Sequence, residues 1–205
     1  MQPSKIINLH KIALATVIAG VSLSAHGAGF YAGAGALGSQ LEPRVGGTSF
    51  TVTETESSGA RVIAGLDLSP RFTLEGYYSE LGAARLSNQT VSGEIEYTAA
   101  GISGLYYLYS SRGSDGLVNR EGLMFYGKAG LGFLSNESTN NIVFNRLNRE
   151  HLGAGVGLEY NFSNGFGFRA EFLNHDSDAR DISFNLIKRF GSISKPQSDI
   201  PSTTT

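Results

Sequence analysis

The chain contains no cysteine, carries few charges and has no long apolar run beyond its first two dozen residues. Without cysteine it cannot be a small disulfide scaffold. A bacterial lipoprotein is also excluded, because that anchor needs a cysteine after the cleavage site. Charged residues make up 17% of the 205 positions, against about 25% in ordinary soluble domains. The small formal charge of −2 includes no clustered basic face, so nothing here invites nucleic acid. A membrane-spanning helix needs about 20 consecutive apolar residues, and no stretch after Leu23 supplies them. A helical membrane protein is thereby set aside.

Glycine is abundant, at 27 of 205 residues, well above the usual ~7%. The N-terminus also has a distinct character. Lys5, His10 and Lys11 precede an apolar run from Ile12 to Leu23, and Ala25-His26-Gly27 follows with small residues. This is the pattern of an export signal, so residues 1–27 are expected to be a signal peptide cut after Gly27. The remaining 178 residues are enough for one domain. Their balance of 14 basic to 18 acidic side chains is mildly negative.

Eight strands are expected, near 29–39, 59–68, 71–81, 96–109, 122–134, 150–162, 166–174 and 181–190. Ser69-Pro70 and Ser163-Asn164-Gly165 join neighbouring runs as tight turns. The stretches 40–58, 82–95 and 135–149 are long and polar, whereas 175–180 is short. Alternating short and long connections are expected of an outer-membrane barrel. The stretch 110–121 stands out, being longer than a turn on the short side should be.

The strands have two unlike faces. In the last one, Ile182, Phe184, Leu186 and Phe190 share a parity, opposite Asp181, Ser183, Asn185 and Arg189. In the sixth, Leu152, Ala154, Val156, Leu158, Tyr160 and Phe162 oppose His151, Gly153, Gly155, Gly157, Glu159 and Asn161. The fifth sets Leu123, Phe125, Gly127, Ala129, Leu131 and Phe133 against Met124, Tyr126, Lys128, Gly130, Gly132 and Leu134. A soluble barrel would turn the apolar face inward and show water a glycine-rich one, which weakens strands. Turning the barrel inside out removes the difficulty. Apolar side chains then meet lipid, and glycines line a narrow eight-stranded lumen. Glu94 and Glu96 share the parity of Tyr106 and Leu108, so the fourth strand needs either a bulge or an early exit from the membrane.

The stretches GFYAGAGALGSQ, GARVIAGLDLSPRFTLEGYYSELG, YGKAGLG, GVGLEYNFSNGFGFRAEF and NLIKRFG occur in that order. Together they resemble the eight-stranded transmembrane domain of outer membrane protein A and its small-barrel relatives, over residues 29–191. The resemblance implies an all-β, eight-stranded antiparallel transmembrane up-and-down barrel in the outer membrane of a Gram-negative bacterium. It implies that Glu75, Lys128, Glu159 and Arg169 belong to an interior ion-pair network. Strand parity adds Arg61 and Glu171, giving three bases and three acids inside. The parity of neighbouring strands allows Lys128 to meet Glu159 and Glu75 to meet Arg169 across the lumen. Phe190, a terminal aromatic on the lipid side, resembles the signal read by the barrel-insertion machinery. The peptidoglycan-binding domain common in the family is not expected, because only the polar stretch 192–205 follows, and that stretch should be disordered.

Other motifs count for less. Gly33-Ala34-Gly35-Ala36-Leu37-Gly38 fits a dinucleotide fingerprint, but Pro43 and Gly46-Gly47 forbid the helix that must follow. His175 and Ser177, two apart late in the chain, resemble the pair of outer-membrane lipid A deacylases; only Asp178 or Asp181 could serve as the acid. His175, Asp176, Asp178 and Asp181 could be read as a metal site, although solvated charge in an outer loop explains them better. No enzyme, cofactor or metal is therefore expected. The expected role is structural or surface-exposed, with at most a narrow gated pore. An adhesin or host-binding barrel and a lipid A-modifying enzyme are the alternatives. Expected partners are outer-membrane lipids and lipopolysaccharide, the barrel-assembly machinery, and a surface ligand on the outer loops.

Overall fold

The computed structural model describes residues 29–41, 51–87, 92–138, 148–176 and 179–191. The expected signal segment, the stretch 192–205, Ser177 and Asp178 lie outside these residues.

Among the described residues nine strands form one antiparallel sheet: β1 (Gly29–Leu41), β2 (Thr51–Glu54), β3 (Glu56–Asp67), β4 (Phe72–Ser87), β5 (Ser92–Ser110), β6 (Gly122–Ser138), β7 (Asn148–Asn161), β8 (Phe166–Asp176) and β9 (Ala179–Phe190). Eight of them close a ring, because β1 pairs with both β3 and β9 while β4 pairs with β5. The short β2 continues the track of β3 along β4. Closure satisfies the edge hydrogen bonds that an open sheet would leave bare, as a lipid environment demands.

Alternation decides the facing. In β9 the odd positions are buried and the even ones turn outward, ending on Phe190. Leu152, Val156, Leu158, Tyr160 and Phe162 are exposed on the outer wall, whereas His151, Glu159 and Asn161 are buried inside. The outer surface is thus the apolar one and the lumen the polar one.

The fourth expected strand resolves without an inversion. β5 keeps one register against β6 from Ile95 to Tyr107. Glu96 stays on the outer parity with Ile102 and Tyr106. Ten residues of strand tilted by roughly 45° rise about 23–25 Å, close to the height of the apolar band. Glu96 therefore clears the lipid simply by distance. The bulge that does exist lies lower, between Tyr107 and Tyr109, where Leu108 and Tyr109 both face outward.

Two ends differ in character. One carries the short turns: Leu68 N and Ser69 N donate to Phe72 O, and Phe162 N donates to Phe166 O. In the latter turn Gly165 adopts φ 81°, which a residue with Cβ would resist. At the other end β4, β5, β6 and β7 run past their expected limits to Ser87, Ser92, Ser138 and Asn148. Beyond the lipid band the alternation of residue types fades, but backbone pairing continues.

The long connection at 110–121 acquires a reason. It folds into a short helix, α1 (Gly113–Asn119), that buries Leu117 against Leu105, Tyr107, Met124 and Tyr126 at the mouth of the lumen. The residue after it, Arg120, adopts φ 54° and points inward, where it is almost fully buried.

Candidate functional site: the barrel interior

The lumen is filled by charged side chains in layers. Among the described residues the buried bases are Arg61, Arg120, Lys128, Arg169 and Arg189. The buried acids are Asp67, Glu75, Glu159, Glu171 and Asp181. Five charges of each sign cancel, which a dry interior requires.

In the layer nearest the short turns, Arg189 donates to Asp67 Oδ2 at 2.7 Å, to Glu159 Oε1 at 2.6 Å and to Tyr107 Oη at 2.9 Å. Arg120 reaches across the mouth from the opposite side. Its guanidinium donates to Pro70 O at 2.9 Å, Ser69 O at 3.0 Å and Thr73 Oγ1 at 3.1 Å. It also pairs with Asp67 at 3.1 Å and lies 3.9 Å over the Tyr107 ring. A single side chain thus ties the β5–β6 turn to the β3–β4 turn. A cavity of about 220 Å³ remains at this end, bounded by Asp67, Arg120, Phe162 and Arg189.

The middle layer centres on Glu75. Lys128 Nζ donates to Glu75 Oε1 at 2.7 Å and to Glu171 Oε1 at 2.9 Å. Arg169 bridges Glu75 and Glu159. Tyr31 Oη donates to Glu75 Oε2 at 2.5 Å and Tyr126 Oη to Glu171 Oε2 at 2.7 Å. Both rings need facing glycines. A Cβ on Gly65 would lie 2.3 Å from the Tyr31 ring, and one on Gly157 2.2 Å from Tyr126 Oη. The lumen glycines make room for the tyrosines that orient the charges.

The upper layer is organised by Arg61. It donates to Ser79 Oγ at 2.7 Å, Glu171 Oε1 at 2.9 Å, Ser183 Oγ at 3.0 Å and Asp181 Oδ2 at 2.6 Å. His175 Nε2 meets the same Asp181 oxygen at 2.6 Å, and the His151 ring stands edge-on to His175 at 5.4 Å. Above this level the lumen turns apolar, with Leu37, Leu41, Leu81, Ala84, Ile95, Tyr97, Leu134 and Ala179 packed together.

The six interior charges named from the sequence, Arg61, Glu75, Lys128, Glu159, Arg169 and Glu171, are all buried here. Glu75 meets Arg169 across the lumen. Lys128 does not meet Glu159. The two strands are neighbours, but Lys128 stands opposite Gly155 and Glu159 opposite Met124. Four residues of offset send Lys128 to the next layer. Sequence reasoning left Asp67, Asp181, Arg189, Tyr31, Tyr107 and Tyr126 out of the network, although alternation placed Asp181, Arg189 and Tyr126 on the inner face. Arg120 had no such signal, since it sits in a turn.

The reading of His175 and Asp181 as solvated loop charges is corrected: both are buried inside the wall, because β8 and β9 pair up to Asp176 and Ala179. No group of acids, histidines or cysteines among the described residues is arranged to hold a metal ion. Phe190 lies on the outer wall and stacks on Phe30 at 4.8 Å across the seam where β9 meets β1.

The Arg120 tie makes a definite expectation. Arg120→Ala should lower stability by about 1.5–3 kcal/mol, the range for hydrogen bonds from a charged donor. Urea unfolding in detergent measures it, and limited proteolysis should cut within 111–121. Arg120→Lys should restore little, because an ammonium cannot span two carbonyls and stack on a ring. Full recovery by lysine would mean that charge alone matters there.

No curated protein matches the chain. Solved structures do. Outer membrane protein OprG from Pseudomonas aeruginosa is similar with a TM-score of 0.51 at 10% identity, over 80% of this chain and 96% of that one. The N-terminal β-barrel domain of Pseudomonas aeruginosa OprF gives 0.48 at 16%, over 78% and 97%. Ail, the attachment invasion locus protein of Yersinia pestis, gives 0.48 at 15%, over 80% and 99%. The profile of the outer membrane protein beta-barrel domain matches residues 12–190. With the inside-out facing of its eight-stranded ring, this match establishes that the chain belongs to the outer membrane protein beta-barrel family.

Proposed function

We propose that the protein is a closed outer-membrane barrel whose role is structural and surface-exposed, and that it is not a porin. The observation that carries this reading is the filled lumen. Three layers of paired charges span it, α1 covers the periplasmic mouth, and an apolar layer covers the extracellular end. The short turns define the periplasmic side, as in other barrels of this kind. An eight-stranded ring has room for side chains but little else.

The extensions of β4–β7 above the lipid favour display of the outer loops to a surface ligand. The burial of His175 speaks against lipid A chemistry at that residue.

The refolded protein should migrate differently on a gel before and after boiling. In planar bilayers it should show little or no steady conductance. Large, stable, porin-sized steps would defeat the closed-barrel reading and favour transport.

A further inference from the structure

The periplasmic mouth holds a cavity of about 220 Å³ that the ion pairs leave unfilled. At a liquid volume of about 30 Å³ each, that is room for roughly seven waters, or for a small organic acid. Four pieces of chain enclose it. The end of α1 and the residue after it supply Val118 and Arg120, and the β7–β8 turn supplies Phe162 and Ser163. Asp67 closes it from the end of β3 and Arg189 from the end of β9.

Arg120 brings a donor that lacks an acceptor. The residue is only 3% exposed. Its Nη1 and Nη2 are taken by Pro70 O, Ser69 O, Thr73 Oγ1 and Asp67. Its Nε is buried and has no hydrogen-bond partner among the described residues. A buried N–H left in that state costs free energy that an incoming acceptor would recover.

The charge around the mouth is lopsided. Among the described residues at this end, Arg71, Arg112, Arg120, Lys188 and Arg189 face three acids, Asp67, Asp115 and Glu121. Glu121 is already held by Arg112 at 2.6 Å. Adding Glu159, which Arg189 shares with Arg169, still leaves one positive charge over. The C-terminal end of α1 opposes an anion by at most about half a charge, so the surplus prevails.

We propose that this cavity is a binding site for a small oxyanion, a carboxylate or a phosphate, which accepts the Arg120 Nε–H and holds α1 against the end of β9. Guanidinium N–H groups match the spacing of carboxylate and phosphate oxygens. The site lies at the mouth rather than in the dry layers, so water solvates whatever charge stays unmatched. Val118 and Phe162 offer apolar wall to the carbon of an organic acid. The group has two sources: a periplasmic solute, or Asp199, eight positions beyond Gly191 on the cavity's rim. Binding here is independent of conduction, so this site and the closed lumen can fail separately.

The full chain, folded in bicelles at constant ionic strength, should be titrated with sodium acetate and with sodium phosphate, and with sodium chloride as control. The Nε–H resonance of Arg120, assigned through bonds to its own backbone, should shift saturably with acetate or phosphate and not with chloride. Proteolysis within 111–121 should slow in parallel, about elevenfold at ten times the dissociation constant. Val118→Phe, which fills the cavity without touching an ion pair, should abolish both effects. If that variant does not fold, Overhauser contacts from the acetate methyl to Val118 and Phe162 in wild type take its place, and their absence refutes the site. A resonance already shifted without added anion, and released by Asp199→Asn, supports the same site with the chain's own carboxylate in it. No saturable shift in either wild type or Asp199→Asn, or a shift that survives Val118→Phe, would overturn the proposal.

Discussion

Replacing Arg169 with alanine is expected to cost the barrel about 3–5 kcal/mol, the range for breaking a buried ion pair from one side. Arg169 is the bridge between two layers. It pairs with Glu75 above and Glu159 below, and its guanidinium lies 4.9 Å from the Tyr31 ring and 5.2 Å from that of Tyr126. Truncation removes one positive charge from a balanced lumen. Glu159 keeps Arg189 and Glu75 keeps Lys128, so neither acid is wholly abandoned, but the interior carries one uncancelled negative charge. Water should enter to solvate it. Urea unfolding in lipid vesicles measures the stability, and planar bilayers should show brief openings that wild type lacks. Removing the charge from both sides, with Arg169→Met and Glu75→Gln together, should recover part of the loss because the count balances again. A single variant as stable and silent as wild type would show that the network does not hold the lumen closed.

The second large effect tests which face meets lipid. Val156 is 46% exposed on the outer wall of β7, midway between the outward-facing Leu152 and Tyr160. An arginine there would sit near the centre of the apolar band. The expected cost is about 2–4 kcal/mol, falling toward zero for the same change near either interface. Folding into vesicles of defined thickness, scored by the gel shift between boiled and unboiled samples, measures it. In a soluble barrel an outward arginine would be harmless, so full tolerance of Val156→Arg would undo the inside-out reading. A serine at the same position provides the control for lost apolar area without charge.

Phe190 bears on assembly in a related way. Its outward position beside Phe30 at the closing seam suits a residue recognised before the ring is complete. Recognition by the insertion machinery remains a proposal built on that placement.

Alternation by itself determined the architecture. A strand has a side-chain period of two, so residue types along Asp181–Phe190 or Glu150–Phe162 assign a face to every position without reference to any other strand. From that follow the apolar outer wall, the inner placement of Glu75, Lys128, Glu159 and Arg169, and the crowding that glycine relieves. Partner choice is another matter. Which charges meet depends on the stagger between strands around the closed ring and on the reach of each side chain over the lumen. That is why Lys128 joins Glu75 and Glu171 rather than the neighbouring strand's Glu159. Arg120 shows the same limit more sharply. A turn has no periodicity to read, and only the packing of Leu117 into the periplasmic mouth swings Arg120 inward to Asp67. His175 looked like a loop residue because its neighbours are polar, and Asp181, although it opens the last strand on the inner parity, was drawn into the same solvated cluster. Backbone pairing carries β8 and β9 past the level at which side-chain pattern stops reporting it, and so places that pair inside the wall.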